Sequence, residues 1–277
     1  MNGAIIVNKE KNFTSRDVIN RLNKILHTKK IGHIGTLDPM ATGVLVCLVG
    51  KCTKLCNVLV NHDKEYIASF KLGVLTDTLD ITGQILKEEN YTIDESKLKE
   101  VLNSFVKTYK QTVPLYSAVK KDGKKLYEYA RNNIEVTLPE RVCTIYSIEL
   151  LNITNDIITI KTKVSKGTYI RALIRDIGAS LNTYGTMTSL ERISLDKFTI
   201  NDSYTLEEIE KGNFKILKPE EILNCKIVNI NEKLLFKIQN GQRLEMNDEY
   251  VLFKYLDKDI AIYQKYQDNE IKPLIIF

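Results

Sequence analysis

One glycine-rich segment holds the residues best suited to chemistry. Residues 32–43 read GHIGTLDPMATG, with a single carboxylate, Asp38, fixed before Pro39, and with His33 five residues earlier. The three glycines and the Asp-Pro pair cannot continue a regular element, so we expect a structured loop between two core elements. A rigid loop around a lone acid favours a positioned nucleophile or general base. On the residues alone, the alternative is an Asp-Pro turn beside a structural histidine.

Other kinds of site find little support in the sequence. The loop matches neither the P-loop pattern nor the G-x-G-x-x-G pattern, which argues against a nucleotide-binding loop. The three histidines are scattered, and the five cysteines contain no C-x-x-C pair, so we expect no metal site. A G-x-S-x-G elbow is missing as well, although a Ser/His/Asp triad stays open.

The elements that must position this loop mix strands and helices without a regular βαβ rhythm. Thr14 and Ser15 cap a predicted helix, with Asp17 in its first turn. We expect further helices at residues 94–105, 126–131 and 168–181, and strands at 3–7, 44–49, 66–72, 113–119 and twice within 141–165. This pattern predicts an α+β domain with a mixed, largely antiparallel sheet.

The last quarter of the chain reads as a separate, smaller unit. Residues 218–224 resemble a linker, and four short β-like stretches follow around Asn240-Gly241. We therefore predict one domain at residues 1–220 and a small β domain at 221–277. Such a short piece buries only a small core, so we expect it to pack against the larger domain.

Charge and hydropathy narrow the range of partners. The 277 residues include 40 Lys+Arg and 35 Asp+Glu, a formal net charge of +5, and residues 225–277 carry equal numbers of both signs. The basic excess therefore lies upstream, and residues 107–131 hold seven basic side chains against two acidic ones. This stretch predicts a phosphate-facing track or an ordinary solvated face. The N-terminus has no signal-peptide pattern and no membrane-length apolar run occurs, so we expect a cytoplasmic protein.

Several blocks of the sequence resemble the TruB family of tRNA pseudouridine synthases. The string GHIGTLDPMATGVLVCLVGKCTKL, residues 32–55, is similar to the family's catalytic motif and is long enough to be specific. Residues 64–83, 113–131, 165–178 and 190–192 resemble its later blocks in the same order. The C-terminal NGQRL and IKPLIIF are similar to a small RNA-binding PUA domain.

The resemblance implies an activity and a set of site residues. It implies isomerisation of uridine to pseudouridine in the T-loop of tRNA, at tRNA position 55, by a single aspartate and without cofactor or metal. The aspartate would attack covalently or take a sugar proton, and the sequence leaves both routes open. The implied residues are Asp38 and its paired arginine Arg171 for catalysis, and His33, Tyr66, Tyr169 and Leu190 for substrate binding.

The resemblance also implies partners, and it leaves alternatives. We expect a monomer that binds the tRNA T-arm, and the short N-terminus argues against a guide-RNA-dependent enzyme. One alternative is a tRNA-folding chaperone that binds and opens the T-arm. A weaker alternative is a nucleoside glycosidase, which would release free uracil.

Overall fold

The computed structural model describes residues 1–59 and 62–277, which form 18 strands and eight α-helices among the described residues. The strands are β1 Gly3–Lys9, β2 Ile31–Ile34, β3 Thr42–Val49, β4 Lys64–Leu72, β5 Val74–Thr76, β6 Ile85–Glu88, β7 Thr108–Thr112, β8 Lys120–Lys121, β9 Lys124–Lys125, β10 Glu140–Thr154, β11 Ile157–Val164, β12 Gly185–Leu195, β13 Phe198–Thr199, β14 Lys226–Asn229, β15 Leu244–Glu245, β16 Tyr250–Tyr255, β17 Lys258–Gln267 and β18 Glu270–Ile276. The helices are α1 Ser15–Ile25, α2 Cys56–Leu59, α3 Glu95–Ser104, α4 Leu126–Arg131, α5 Ile170–Ser180, α6 Leu206–Glu210, α7 Pro219–Ile222 and α8 Glu232–Gln239, with 3-10 turns at Gly50–Leu55 and Ile200–Asp202.

A nine-stranded mixed sheet forms the frame of the larger part of the chain. Its order is β1-β3-β12-β4-β11-β10-β7, with β2 added to β3 and β13 to β12. Neighbouring strands are antiparallel except β3 and β12, which run parallel and pair Arg192 with Gly43. The predicted α+β class with a largely antiparallel sheet is confirmed. The parallel pairing matters for the site because it brings β12 to the start of β3.

The apolar run of β3 follows from burial on both faces of the sheet. Val44, Val46 and Leu48 lie in one apolar cluster, together with residues of the C-terminal sheet. Leu45, Cys47 and Val49 alternate with them and pack in a second cluster under α1 and α6. By contrast, β4 alternates between buried and half-buried residues, as the predicted strand requires.

Two predicted features near the loop differ from the structure. Gly32 and His33 belong to β2, which pairs antiparallel with the end of β3, so the irregular loop is shorter than expected. The predicted strand at residues 113–119 is wrong, since the strand here is β7, Thr108–Thr112. Pro114 cannot donate to a sheet ladder, and the carbonyl of Ser117 accepts from the amide of Tyr127 instead of a neighbouring strand.

The C-terminal part contains more structure than the pattern indicated. Five strands form a sheet in the order β14-β16-β17-β18-β15, and the predicted turn at Asn240-Gly241 ends a helix, α8, that was not predicted. The predicted linker contains α7, in which Ile222 is 1% exposed, so this segment is packed into the core. Leu252, Ile262 and Ile275 of the C-terminal sheet share a cluster with β3. Within residues 1–59 and 62–277, no helix is long and apolar enough to cross a bilayer.

Candidate active site

The loop that carries Asp38 runs from β2 to β3 and is closed at its base by Arg192. This side chain is 1% exposed and donates from Nε to the carbonyl of Val44 (2.7 Å) and from Nη2 to that of Gly35 (2.8 Å). Gly43 has a φ of 97°, and a Cβ there would lie 2.3 Å from the Arg192 carbonyl oxygen, so only glycine fits. Both ends of the loop are thus tied to one buried arginine.

Residues at the end of β1 and between β1 and α1 form hydrogen bonds to the tip of the loop. Lys9 Nζ and the backbone N–H of Asn12 both donate to the carbonyl of Pro39, at 3.2 and 2.9 Å. On the other side of Asp38, the backbone N–H of Leu37 donates to the hydroxyl of Ser15 at 3.0 Å. Asp38 therefore lies between two residues whose backbones are fixed, which restricts the positions its carboxylate can reach.

Asp38 and Arg171 form a two-point ion pair at the centre of the site. Arg171 Nε lies 2.9 Å from Asp38 Oδ2, and Nη2 donates to Oδ1 at 3.2 Å. The arginine side chain is 5% exposed, whereas that of Asp38 is 36% exposed. Arg171 also donates to the carbonyls of Thr78 (2.8 Å) and Tyr116 (3.1 Å), so it joins three loops. The structure thus brings together the two residues that the resemblance implies as a pair, and their catalytic role stays a prediction.

A second carboxylate faces the same arginine. Asp80 Oδ2 lies 3.9 Å from Arg171 Nε, and its side chain is 7% exposed. Its Oδ1 accepts hydrogen bonds from the hydroxyl of Thr78 and from the backbone N–H of Thr82, each at 2.9 Å. A buried carboxylate with such partners fixes the turn and the cation beside it. The sequence shows this residue only as one acid of the TDTLDITG loop.

Burial and the charge of Arg192 lower the pKa of three basic side chains near the loop. Burial lowers the pKa of Lys9 to about 8, although the charge of Asp38 opposes that shift. Burial, followed by the charge of Arg192, likewise lowers the pKa of Lys64 to about 8. Burial and the charges of Arg192 and Arg16 lower the pKa of His33. His33 is therefore a neutral imidazole near pH 7, and its buried Nδ1 has no hydrogen-bond partner within the described residues.

The four residues predicted to bind substrate lie on or beside four different elements, β2, β4, β12 and α5. Tyr66 on β4 (7% exposed) and Leu190 on β12 (8% exposed) belong to the apolar cluster that contains Leu37 and Met40, on either side of the Asp38-Pro39 turn. Tyr169 is half-buried and immediately precedes α5, two residues before Arg171. His33 lies on β2, the strand that leads into the loop.

Sequence reasoning did not assign the residues that hold the site in place to the site, and it gave Ser15 only a role as a helix cap. Lys9, Ser15 and Asp80 act through backbone carbonyls, backbone N–H groups or other side chains, and such partners leave no spacing pattern in the sequence. Arg192 was noted only as part of a motif. For Lys9, one signal was available: a lysine that continues the apolar strand IIV into a turn is a candidate for a buried amine.

Comparisons with known proteins show what this chain is similar to. The family model described as TruB family pseudouridylate synthase (N terminal domain) matches residues 23–170. tRNA pseudouridine synthase B of Fusobacterium nucleatum subsp. nucleatum is 50% identical over 200 residues, which is 72% of this chain and 70% of the relative. The protein of that name from Acholeplasma laidlawii is 40% identical over 270 residues, 95% of each chain.

A solved structure shows the same fold. It is described as the structure of H/ACA RNP bound to a substrate RNA containing 2'-deoxyuridine. It matches with a TM-score of 0.72 and 22% identity, over 99% of this chain and 84% of the other. At this level of identity the likeness concerns the fold alone.

Proposed function

This chain belongs to the TruB family of pseudouridylate synthases, and we propose that it isomerises uridine to pseudouridine in the T-loop of tRNA, at tRNA position 55, with Asp38 as its single catalytic carboxylate. The observation that carries the proposal is the Asp38–Arg171 pair, in which a buried, three-way-anchored guanidinium presents a partly exposed carboxylate. The reaction requires a carboxylate that is held in one orientation.

At the sugar, the reaction requires only this one carboxylate from the protein. The bond between N1 of uracil and C1′ of ribose breaks, a bond from C5 to C1′ forms, and the proton on C5 leaves while N1 ends protonated. Asp38 starts the first step either by attack of a carboxylate oxygen or by removal of a sugar proton. Both routes require a carboxylate in a fixed position, and Arg171 holds both oxygens of Asp38 at 2.9 and 3.2 Å.

The uridine must leave the T-loop stack to reach Asp38. Unstacking costs a few kcal/mol, and stacking on an aromatic ring returns about 1–3 kcal/mol. We assign that platform to Tyr66 and the pocket walls to Leu190 and Tyr169. Tyr66 and Leu190 support this assignment because they belong to the same apolar cluster as the residues that flank the Asp38-Pro39 turn. As a neutral imidazole, His33 would hold the ribose or phosphate by a hydrogen bond rather than by charge.

We also propose that the chain acts as a monomer in the cytoplasm, without guide RNA and without metal or cofactor. Within its described part, no group of three or more His, Cys, Asp or Glu side chains is placed to hold a metal ion. RNA phosphates would follow the hairpin of β8 and β9, where Lys120 and Lys124 are exposed.

The test is conversion of an unmodified T-arm stem-loop by the parent protein and by Asp38→Asn. Nucleoside chromatography resolves pseudouridine from uridine, which has the same mass. We expect Asp38→Asn to bind the RNA within about tenfold of the parent, or 1.4 kcal/mol, and to form no pseudouridine. The matched control is Asp94→Asn, because Asp94 caps α3 and asparagine caps equally well.

Each other outcome identifies a different function. Free uracil in the parent reaction would indicate a nucleoside glycosidase. A parent protein that refolds the RNA but forms no product would indicate a chaperone. A folded Asp38→Asn protein with near-parent conversion would remove Asp38 from the chemistry.

A further inference from the structure

A buried glutamine links the edge of the sheet to the helix that carries Arg171. Gln111 on β7 is 1% exposed, and its Oε1 accepts from the backbone N–H of Tyr169 at 2.8 Å. Its Nε2 donates to the hydroxyl of Tyr109 at 2.7 Å. Since a backbone N–H can only donate, the orientation of the amide is fixed. The Tyr109 hydroxyl must then give its own proton to Asp176 Oδ2, 3.2 Å away.

This chain of hydrogen bonds contacts α5 at two residues, Tyr169 and Asp176. Tyr169 and Asp176 are seven residues apart, about two helical turns, so they lie on one side of the helix. A third contact comes from Arg175 Nη2, which donates to the carbonyl of Thr112 at 3.1 Å. The bond to Gln111 is made at the N-cap residue of α5, directly before its first turn.

Arg171 projects from a different side of the same helix. It lies five residues before Asp176, about 140° around the helix axis at 3.6 residues per turn. Its bonds to Asp38, Thr78 and Tyr116 measure between 2.8 and 3.2 Å. A displacement of the first turn by about 1 Å would break this set, and misplacements of that size cost about 100-fold in rate.

We propose that Gln111 is a positioning residue: it fixes the first turn of α5 so that Arg171 meets Asp38. The inference rests on the proposed function for its consequence in catalysis. The structural part, that Gln111 fixes the position of Arg171 through α5, depends only on the hydrogen bonds. Gln111 is buried and acts only through α5.

The test compares Gln111→Met with Ser69→Ala. Methionine has nearly the shape of glutamine but neither accepts from Tyr169 nor donates to Tyr109 as an amide does. The control removes the hydrogen bond between the hydroxyls of Ser69 on β4 and Thr159 on β11, which are 3.0 Å apart and bond to no residue of α5. The measurements are the single-turnover rate at saturating T-arm RNA, the Kd for that RNA, and the NMR exchange rate of the Arg171 Nε proton.

We expect Gln111→Met to slow turnover at least tenfold with a Kd within about threefold of the parent. The Arg171 Nε proton should exchange at least tenfold faster, because the ion-pair contact of Nε with Asp38 Oδ2, 2.9 Å long, opens more often. Ser69→Ala should change neither quantity. A merely structural glutamine would lower the melting temperature and leave the Arg171 proton as protected as in the parent, which would overturn the proposal.

A second variant covers the case in which Gln111→Met does not fold. Tyr109→Phe keeps the bond from Gln111 to Tyr169 but removes the hydroxyl between Gln111 and Asp176. We expect a smaller change in the same direction, and unchanged Arg171 exchange in this folded variant would also overturn the proposal. If the parent forms no pseudouridine, the proposed function fails, while the exchange measurement still decides the role of Gln111.

Discussion

Two carboxylates face Arg171, and their surroundings suit them to different tasks. Asp80 is 7% exposed, and one of its oxygens already accepts hydrogen bonds from Thr78 and Thr82. Asp38 is 36% exposed, and both of its oxygens contact Arg171. A group that reacts with substrate must be accessible to it, whereas a saturated buried carboxylate holds its neighbour still. Asp38 therefore suits the chemistry, and Asp80 suits the orientation of Arg171.

Lys9 leads to a prediction about pH. Its Nζ donates to the carbonyls of Glu10, Phe13 and Pro39, and burial lowers its pKa to about 8 in the folded protein, against 10.5 for an ordinary lysine. Between these two values the unfolded chain binds more protons than the folded one, so stability rises with pH. We expect the free energy of unfolding of the parent, minus that of Lys9→Met, to increase from about pH 8 to about pH 10.5.

Denaturant titrations at pH 7, 9 and 10.5 measure this difference. Lys64, whose pKa burial also lowers to about 8, is present in both proteins, so its contribution cancels. Lys11→Met, at an exposed position two residues along, controls for the loss of one lysine. A difference that stays flat with pH would show that burial does not lower the pKa of Lys9.

At the scale of elements, the sequence predicted what periodicity and caps encode. Helix α1 begins at its predicted cap, where Thr14 and Asp17 form a reciprocal capping box, and α4 has the predicted bounds. The failures have a common cause. Residues 113–119 are apolar enough for a strand, yet their carbonyls serve Arg171 and α4, partners that lie far away or in another element. Tertiary contacts of this kind override local preference.

The site was predictable to the same extent. Asp38 and Arg171 stand in long motifs, so their pairing could be predicted from the resemblance. The groups that hold them, such as the Pro39 carbonyl and the Tyr169 amide, are backbone atoms that every residue carries. Their roles depend on three-dimensional placement, which the order of residue types does not show.

The hairpin of β8 and β9 carries the prediction for RNA affinity. Lys120 and Lys124 are exposed and each begins a short strand of this hairpin. If both meet phosphates, their removal should reduce the slope of log affinity against log salt by about 1.4, at about 0.7 per phosphate of a single strand. We therefore expect Lys120→Ala/Lys124→Ala to bind T-arm RNA with a flatter salt dependence and to modify the same uridine.

The matched control for this pair is Lys211→Ala/Lys215→Ala. This double variant also removes two positive charges, but from another surface. The two lysines already form ion pairs with Glu207 and Glu221, at 2.6 and 2.5 Å. Filter-binding titrations between low and moderate salt give the slopes. Equal slopes for both double variants and the parent would make the hairpin an ordinary solvated face.

For the whole molecule, the two sheets share part of one core. The cluster that contains Val44, Val46 and Leu48 of β3 also contains Leu252, Ile262 and Ile275 of the C-terminal sheet. Lys254 on β16 also forms an ion pair with Glu220 on α7, with 2.8 Å between Nζ and Oε1. The strand that follows the Asp38 loop is therefore covered on one face by residues from the end of the chain. The stability of the loop and that of the C-terminal sheet should be coupled.

Two isoleucines on one strand test that coupling. Ile275, 1% exposed, lies in the shared cluster, while Ile271, 0% exposed, lies in a cluster formed with α8 and the C-terminal sheet. Either change to alanine removes the same atoms from a buried site, at about 2–5 kcal/mol. We expect Ile275→Ala to speed hydrogen exchange of the β3 amides, and Ile271→Ala to speed exchange within β16 and β17 while leaving β3 protected. If Ile275→Ala also leaves β3 protected, the sheets unfold independently, because a cavity in a truly shared core must weaken both of its walls.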